Sequence, residues 1–124
     1  MNKLFFTISI IIRIFAMRFM EQSEVIKRIK EVAAQILPEG SSLWLYGSRA
    51  RGDAHPDSDY DLLILLNKDS ITSNDWDTVA FPLCKMGWGI GAEINPHIYP
   101  RKDWNTWDFV PFHDNVEEDK LVLQ

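Results

Sequence analysis

The chain has 124 residues, 46% hydrophobic and 25% charged, with a formal net charge of −5. That describes one domain with a modest core, too small for two and too apolar for disorder. The negative balance argues against an extended nucleic-acid surface, which needs clustered Lys and Arg, and the single Cys84 excludes an internal disulfide and a cysteine-built zinc site, in keeping with a reducing cytoplasm.

Residues 1–19, MNKLFFTISIIIRIFAMRF, precede sequence of ordinary globular character that starts near Met20. Lys3 and the apolar run after it look like the charged and hydrophobic regions of a signal peptide, but Arg13 interrupts the run and no small-x-small site follows. The run is also shorter than the ~20 residues that cross a bilayer. Three readings stay open: translation beginning at Met17 or Met20, a weak membrane anchor, or a docked helix. The domain proper is placed at 20–124, and no chemistry is assigned to the extension.

From Met20 to Leu37 the apolar residues Val25, Ile26, Ile29, Val32, Ala33, Ile36 and Leu37 recur every three or four positions, with Lys27, Arg28, Lys30 and Glu31 between them. That is an amphipathic helix covering one sheet face, and Pro38-Glu39-Gly40 ends it. Leu43–Tyr46 reads as a short buried strand. Gly47-Ser48 follows, a residue that lets backbone approach a ligand closely and then a hydroxyl.

Asp59-Tyr60-Asp61 opens the next apolar run, Leu62 to Leu66. Strand side chains alternate, so the two aspartates point the same way, roughly 6.5–7 Å apart. Carboxylates that close repel one another. A divalent cation removes that cost, and oxygen ligands suit Mg²⁺, with a phosphate-bearing substrate at the Gly-Ser turn completing its coordination. Between turn and strand, Ser48-Arg49-Ala50-Arg51 suits a short helix whose N-terminal N–H groups favour phosphate. Arg49 and Arg51 either meet phosphates or pair with Asp53, Asp57 or Asp59 to brace the loop. His55 reads as a solvated loop residue.

Thr72-x-x-Asp75 has capping-box spacing, so a helix is expected from about Ser73, kinked or ended at Pro82. Trp76, Val79, Leu83 and Met86 share its inner face. Gly87 to Ile94 reads as a strand, placing Gly87, Gly89, Gly91 and Glu93 on one face with room beside the carboxylate for a ligand or a bulge. His97 has the same parity and is either structural or at the site's edge. Trp104 and Trp107 suggest a helix packing inward, and 112–124 a closing helix with an apolar end.

Gly47-Ser48, ten residues, then Asp59-Tyr60-Asp61-Leu62 resembles the signature of the nucleotidyltransferase superfamily typified by DNA polymerase beta. The fuller string GSRARGDA…SDYDLLIL is similar to its stand-alone branch, the minimal nucleotidyltransferases. The resemblance implies a small α/β (α+β) domain, a mixed sheet of about three to five strands with helices on one face and the acidic site on the open side. It implies transfer of a nucleoside monophosphate, AMP from ATP, to a hydroxyl acceptor. Asp59 and Asp61 would hold Mg²⁺, Gly47 and Ser48 would meet the triphosphate, and Arg49 and Arg51 are the nearby candidates for phosphate. A third acidic residue on a neighbouring strand joins the metals in that family. Glu93 is the best candidate here, although the family usually has Asp.

The chain has no room for an extra substrate-binding domain, so the resemblance points to a separate helical HEPN-type protein as acceptor, the pair acting as toxin and antitoxin. A homo- or hetero-oligomer fits that picture. Two rivals stand beside it: a binding module with a vestigial site, marked by a Glu93 directed away from the aspartates, and a subunit of an antibiotic nucleotidyltransferase. Gly47 to Gly52 lacks the Lys and Ser/Thr of a phosphate loop, and Gly87-x-Gly89-x-x-Ala92 precedes a strand instead of linking strand to helix, so neither pattern is adopted.

Overall fold

Side-chain alternation along the three main strands builds a sheet with two different faces. β1 (Ser42–Tyr46) and β2 (Tyr60–Leu66) are antiparallel, with Tyr46 level with Asp61. β3 (Ile94–Pro100) runs parallel on the far side of β2 and sets Asn95 level with Asp61. β4 (Leu121–Val122) pairs antiparallel with β1, giving the order β3-β2-β1-β4. This computed structural model describes residues 3–18 and 21–124, so Met20, one of the two alternative starts, lies outside the described residues. The expected small mixed α/β architecture is the one observed.

One face is apolar. Leu43, Leu45, Tyr60, Leu62, Ile64 and Ile98 meet Val25, Ile29 and Ala33 of helix α2 (Gln22–Ile36). The same core takes Val79, Ala80 and Leu83 from the crossover that the parallel β2–β3 pair requires. That crossover opens as α4 (Ser73–Asp75), where the Thr72 hydroxyl and the Asp75 carboxylate cap each other's backbone as their spacing predicts. A π-helical turn (Trp76–Ala80) leads into α5 (Phe81–Gly89). Pro82 sits in the first turn of α5, where no N–H is needed, and the wider turn ahead of it makes room for its ring. The expected break at proline is thus realised as a restart.

The other face is only partly open. Trp44, Leu63 and Leu65 form a second small core with Trp104 of α6 (Arg101–Trp104) and Val116 of α7 (Pro111–Asp119). Trp104 is fully buried and its indole N–H donates to Glu117 Oε1 at 2.8 Å. Helices therefore pack on both faces, α2 and the crossover on one and the short α6 and α7 over part of the other, where the sequence led us to expect them on one face alone.

The expected strand from Gly87 is corrected: Gly87–Gly89 close α5, and β3 begins only at Ile94. A Cβ at Gly87 would lie 2.5 Å from Ile94 Cγ1 and 2.6 Å from the Ala92 carbonyl, so this glycine lets the helix end press against β3. The N-terminal extension forms α1 (Lys3–Arg18), with Leu4, Phe5, Phe6 and Ile11 more than half exposed. The closing helix appears as α7, and its apolar end becomes β4.

Candidate active site

Gly47 joins β1 to the one-turn helix α3 (Ser48–Arg51) at φ 75°, a backbone setting that favours glycine. There is a second reason for it. A Cβ at this position would stand 2.6 Å from Asp61 Oδ2, so the turn closes directly over the carboxylate. The helix ends at Gly52 in the left-handed region, its N–H bonded to the Ser48 carbonyl.

Asp61 is held from both neighbouring strands. Antiparallel pairing sets it beside Tyr46, and parallel pairing sets it beside Asn95, whose Nδ2 donates to Asp61 Oδ1 at 3.1 Å. Burial first, and then the Asp61 charge, pushes the Tyr46 hydroxyl well above the ordinary tyrosine range. His97 continues this face of β3, its ring 6.3 Å from Tyr46 and 6.4 Å from Phe112. Asp59 precedes β2 and is exposed.

Both arginines are engaged with protein. Arg49 Nε and Nη2 donate to the Ser58 carbonyl at 3.2 and 2.9 Å, and Nη2 also reaches the Pro56 carbonyl at 3.1 Å. The same guanidinium lies 4.3 Å over the Tyr60 ring, and Gln22 of α2 donates to the Arg49 carbonyl. Arg49 thereby ties the loop that presents Asp59 to the helix layer. Arg51 pairs with Asp53 at 3.3 Å and with Asp119 of α7 at 2.7 Å, fastening α3 to the C-terminal helix. Those two carboxylates raise its already high pKa.

Glu93 immediately precedes β3, exposed like Asn95, and its carbonyl accepts the Tyr60 N–H at 2.9 Å, which sets it level with Asp59. It lines a cavity of about 380 Å³ together with Val25, Arg49, Tyr60 and Trp88. After burial, its charge is the next influence raising the Cys84 thiol, and Cys84 belongs to α5 on the helix-covered face. The site residues brought together are Gly47, Asp61 and Asn95, with Asp59 and Ser48 adjoining in sequence. Among the described residues, no group of three or more His, Cys, Asp or Glu is disposed to hold a metal ion.

The family profile for the nucleotidyltransferase domain matches residues 26–121, most of the chain and all of this site. The chain belongs to the nucleotidyltransferase domain family. No curated protein matches it. Among solved structures, a toxin–antitoxin with AMP-PNP shares 17% identity with a TM-score of 0.57, covering 80% of this chain and 72% of that one. A mutant of the toxin–antitoxin MntA-HpeT shares 15% identity at the same TM-score and the same coverage, 80% and 72%. A candidate nucleotidyltransferase from Sulfolobus solfataricus shares 22% identity, TM-score 0.54, covering 82% of this chain and 80% of that one. At these identities the likeness is one of fold.

Asn95 is the neighbour of Asp61 that sequence reasoning passed over. The parity count runs from Glu93 to His97 and weighs those two side chains alone, although position 95 lies between them on the same face. A polar Asn between Ile94 and Pro96, at the parity shared by Glu93 and His97, is the signal that could have found it.

Proposed function

We propose that this domain transfers AMP from ATP to a hydroxyl on a partner protein, as the antitoxin of a pair with a small helical HEPN-type toxin. The observation that carries the reading is the closure of the Gly47 turn over Asp61 Oδ2, which places a turn suited to close phosphate approach against an anionic oxygen ligand. Family membership supports the reaction class. The fold likeness to a toxin–antitoxin with AMP-PNP supports the nucleotide and the kind of partner.

Asp59 and Asp61 offer oxygen donors only, a set that fits Mg²⁺ held by one or two carboxylates with substrate phosphates. When bound, such an ion neutralises charge on the phosphates and on the departing oxygen. Gly47 and the Ser48 hydroxyl stand to meet the triphosphate, Arg49 keeps the Asp59 loop in place, and Arg51 holds α3 against α7. Glu93, level with Asp59 across the β2–β3 pair, is the third acidic candidate for the metal. In the transfer, the acceptor oxygen bonds to the α-phosphorus and the α–β bridging bond breaks. Pyrophosphate leaves with the electron pair and the hydroxyl proton passes to water. Holding these groups in line is the domain's contribution. The setting proposed is cytoplasmic. Cys84 is a free thiol, and no described helix is long and apolar enough to cross a membrane.

A second reading, neutralisation of the partner by contact alone, is favoured by the lack, among the described residues, of a group of three or more His, Cys, Asp or Glu disposed to hold a metal ion. An antibiotic nucleotidyltransferase subunit needs a drug pocket from another chain and ranks third. The test uses the full chain with Mg²⁺, ATP and the protein encoded beside it. Pyrophosphate release is expected only when all are present, and Asp61→Asn should lower it by about 10²–10³-fold. Equal release from that variant contradicts the transfer reading, and a stable complex without release selects the binding module.

A further inference from the structure

The order β3-β2-β1-β4 gives the acidic row a direction. The Gly47-Ser48 turn leaves β1 on one side of Asp61, and β3 lies on the other. With the triphosphate at that turn, pyrophosphate departs on the β1 side. In-line displacement then brings the acceptor oxygen in from the opposite side, across β3. The protein that carries the acceptor must dock where β3 and its approach are accessible.

Helix α5 and its turn into β3 form that side. The Gly87 carbonyl accepts the Ala92 N–H at 2.9 Å, and the Cys84 thiol lies 3.6 Å from the Ile94 carbonyl, so the helix end is fixed to the start of β3. Two large aromatics of α5 project into solvent, Phe81 at 51% and Trp88 at 57% exposure. Seven residues apart, they share one face of the helix, with their rings 6.0 Å apart and edge to face. They make an apolar ridge about 10 Å long, and exposed aromatics grouped in this way mark surfaces that a partner covers. The ridge is continuous with the site. Trp88 also lines the cavity that holds Glu93, and Glu93 is level with Asp59.

We infer that the Phe81–Trp88 ridge is the docking surface for the acceptor protein and receives the apolar face of an amphipathic helix. The inference rests on the transfer reading above and deepens it by placing the acceptor. Two features select this occupant. The ridge spans two turns of one helix, the shape that seats in the groove of a second helix. It also ends beside Glu93, so a partner seated on it presents its hydroxyl at the β3 end of the acidic row.

The experiment titrates the full chain with the protein encoded beside it, by calorimetry in Mg²⁺ and AMP-PNP, and then measures transfer with ATP at varied partner concentration. The calorimetry reads docking whether or not transfer follows. Trp88→Ala and Phe81→Ala should each weaken the complex by about 10- to 100-fold and raise KM for the partner, with KM for ATP unchanged. Val122→Ala, also exposed but on the opposite edge strand β4, should bind as wild type does. Thermal melts check that each variant is folded, which is expected at exposed positions. Wild-type affinity in both ridge variants, a raised KM for ATP in place of the partner's, or an equal loss in Val122→Ala each overturn the inference while leaving the parent reading in place. So does sedimentation of the chain alone if the ridge variants do no more than dissolve a self-associated dimer. If wild type neither binds nor modifies the neighbouring protein, the partner reading itself falls and the inference falls with it.

Discussion

Gly47 and Asp61 are one structural decision made by two residues. The glycine's φ of 75° and the 2.6 Å approach to Asp61 Oδ2 each exclude a side chain. Gly47→Ala should therefore lose stability by about 1–3 kcal/mol through backbone strain alone, read as a lower urea midpoint, and should weaken AMP-PNP binding as the turn is pushed off the carboxylate. A variant with wild-type midpoint and affinity would show that the turn tolerates a Cβ. Asp75 gives a second residue-level test. The Lys68 ammonium, then the Thr72 N–H, hold its carboxyl below the usual carboxylate range. A folded pKa below the unfolded one means the stabilisation is present above the unfolded value and is lost as pH falls through the folded one. The stability gap between wild type and Asp75→Asn should be full near neutral pH and shrink in acid below about pH 4. A gap that stays constant into acid would contradict the pairing.

At the scale of elements, Arg49 braces the loop from Gly52 to Asp59. Arg49 reaches two of its carbonyls and, through Gln22, the helix layer. Arg49→Ala should cost about 1–2 kcal/mol and speed amide exchange in residues 53–59 while α2 stays protected. Unaltered exchange in the loop would remove Arg49 from its bracing role. Periodicity and caps made much of this level legible in the sequence: α2 from its apolar spacing, α4 from Thr72 and Asp75, and α3 between its two glycines. What misled was Gly87-Trp88-Gly89. Glycines at alternate positions resemble a strand face, yet Gly87 is bare because α5 must end against Ile94 and the Ala92 carbonyl. A contact between segments that meet only after folding leaves no periodic trace. The Arg51–Asp119 pair, 68 residues apart, was hidden for the same reason.

At the scale of the molecule, the fold and its family were carried by the Gly-Ser turn, the ten-residue interval and the paired aspartates, and the profile over residues 26–121 agrees. That Trp104 packs inward was expected from its spacing, but its place beside Trp44 and Phe112 on the second sheet face was not, because Trp104 and Phe112 lie on separate short helices that meet only after folding. Nor was the Asn95–Asp61 hydrogen bond, which exists only through the parallel register of β3 on β2. What the whole chain does to a partner is best tested by mass. The full chain and the protein encoded beside it are co-expressed, incubated with Mg²⁺ and each nucleoside triphosphate in turn, and the intact masses taken. Gain of one or more AMP units on the partner with ATP, absent in Asp59→Ala, is the predicted result. A partner of unchanged mass under every nucleotide would contradict transfer.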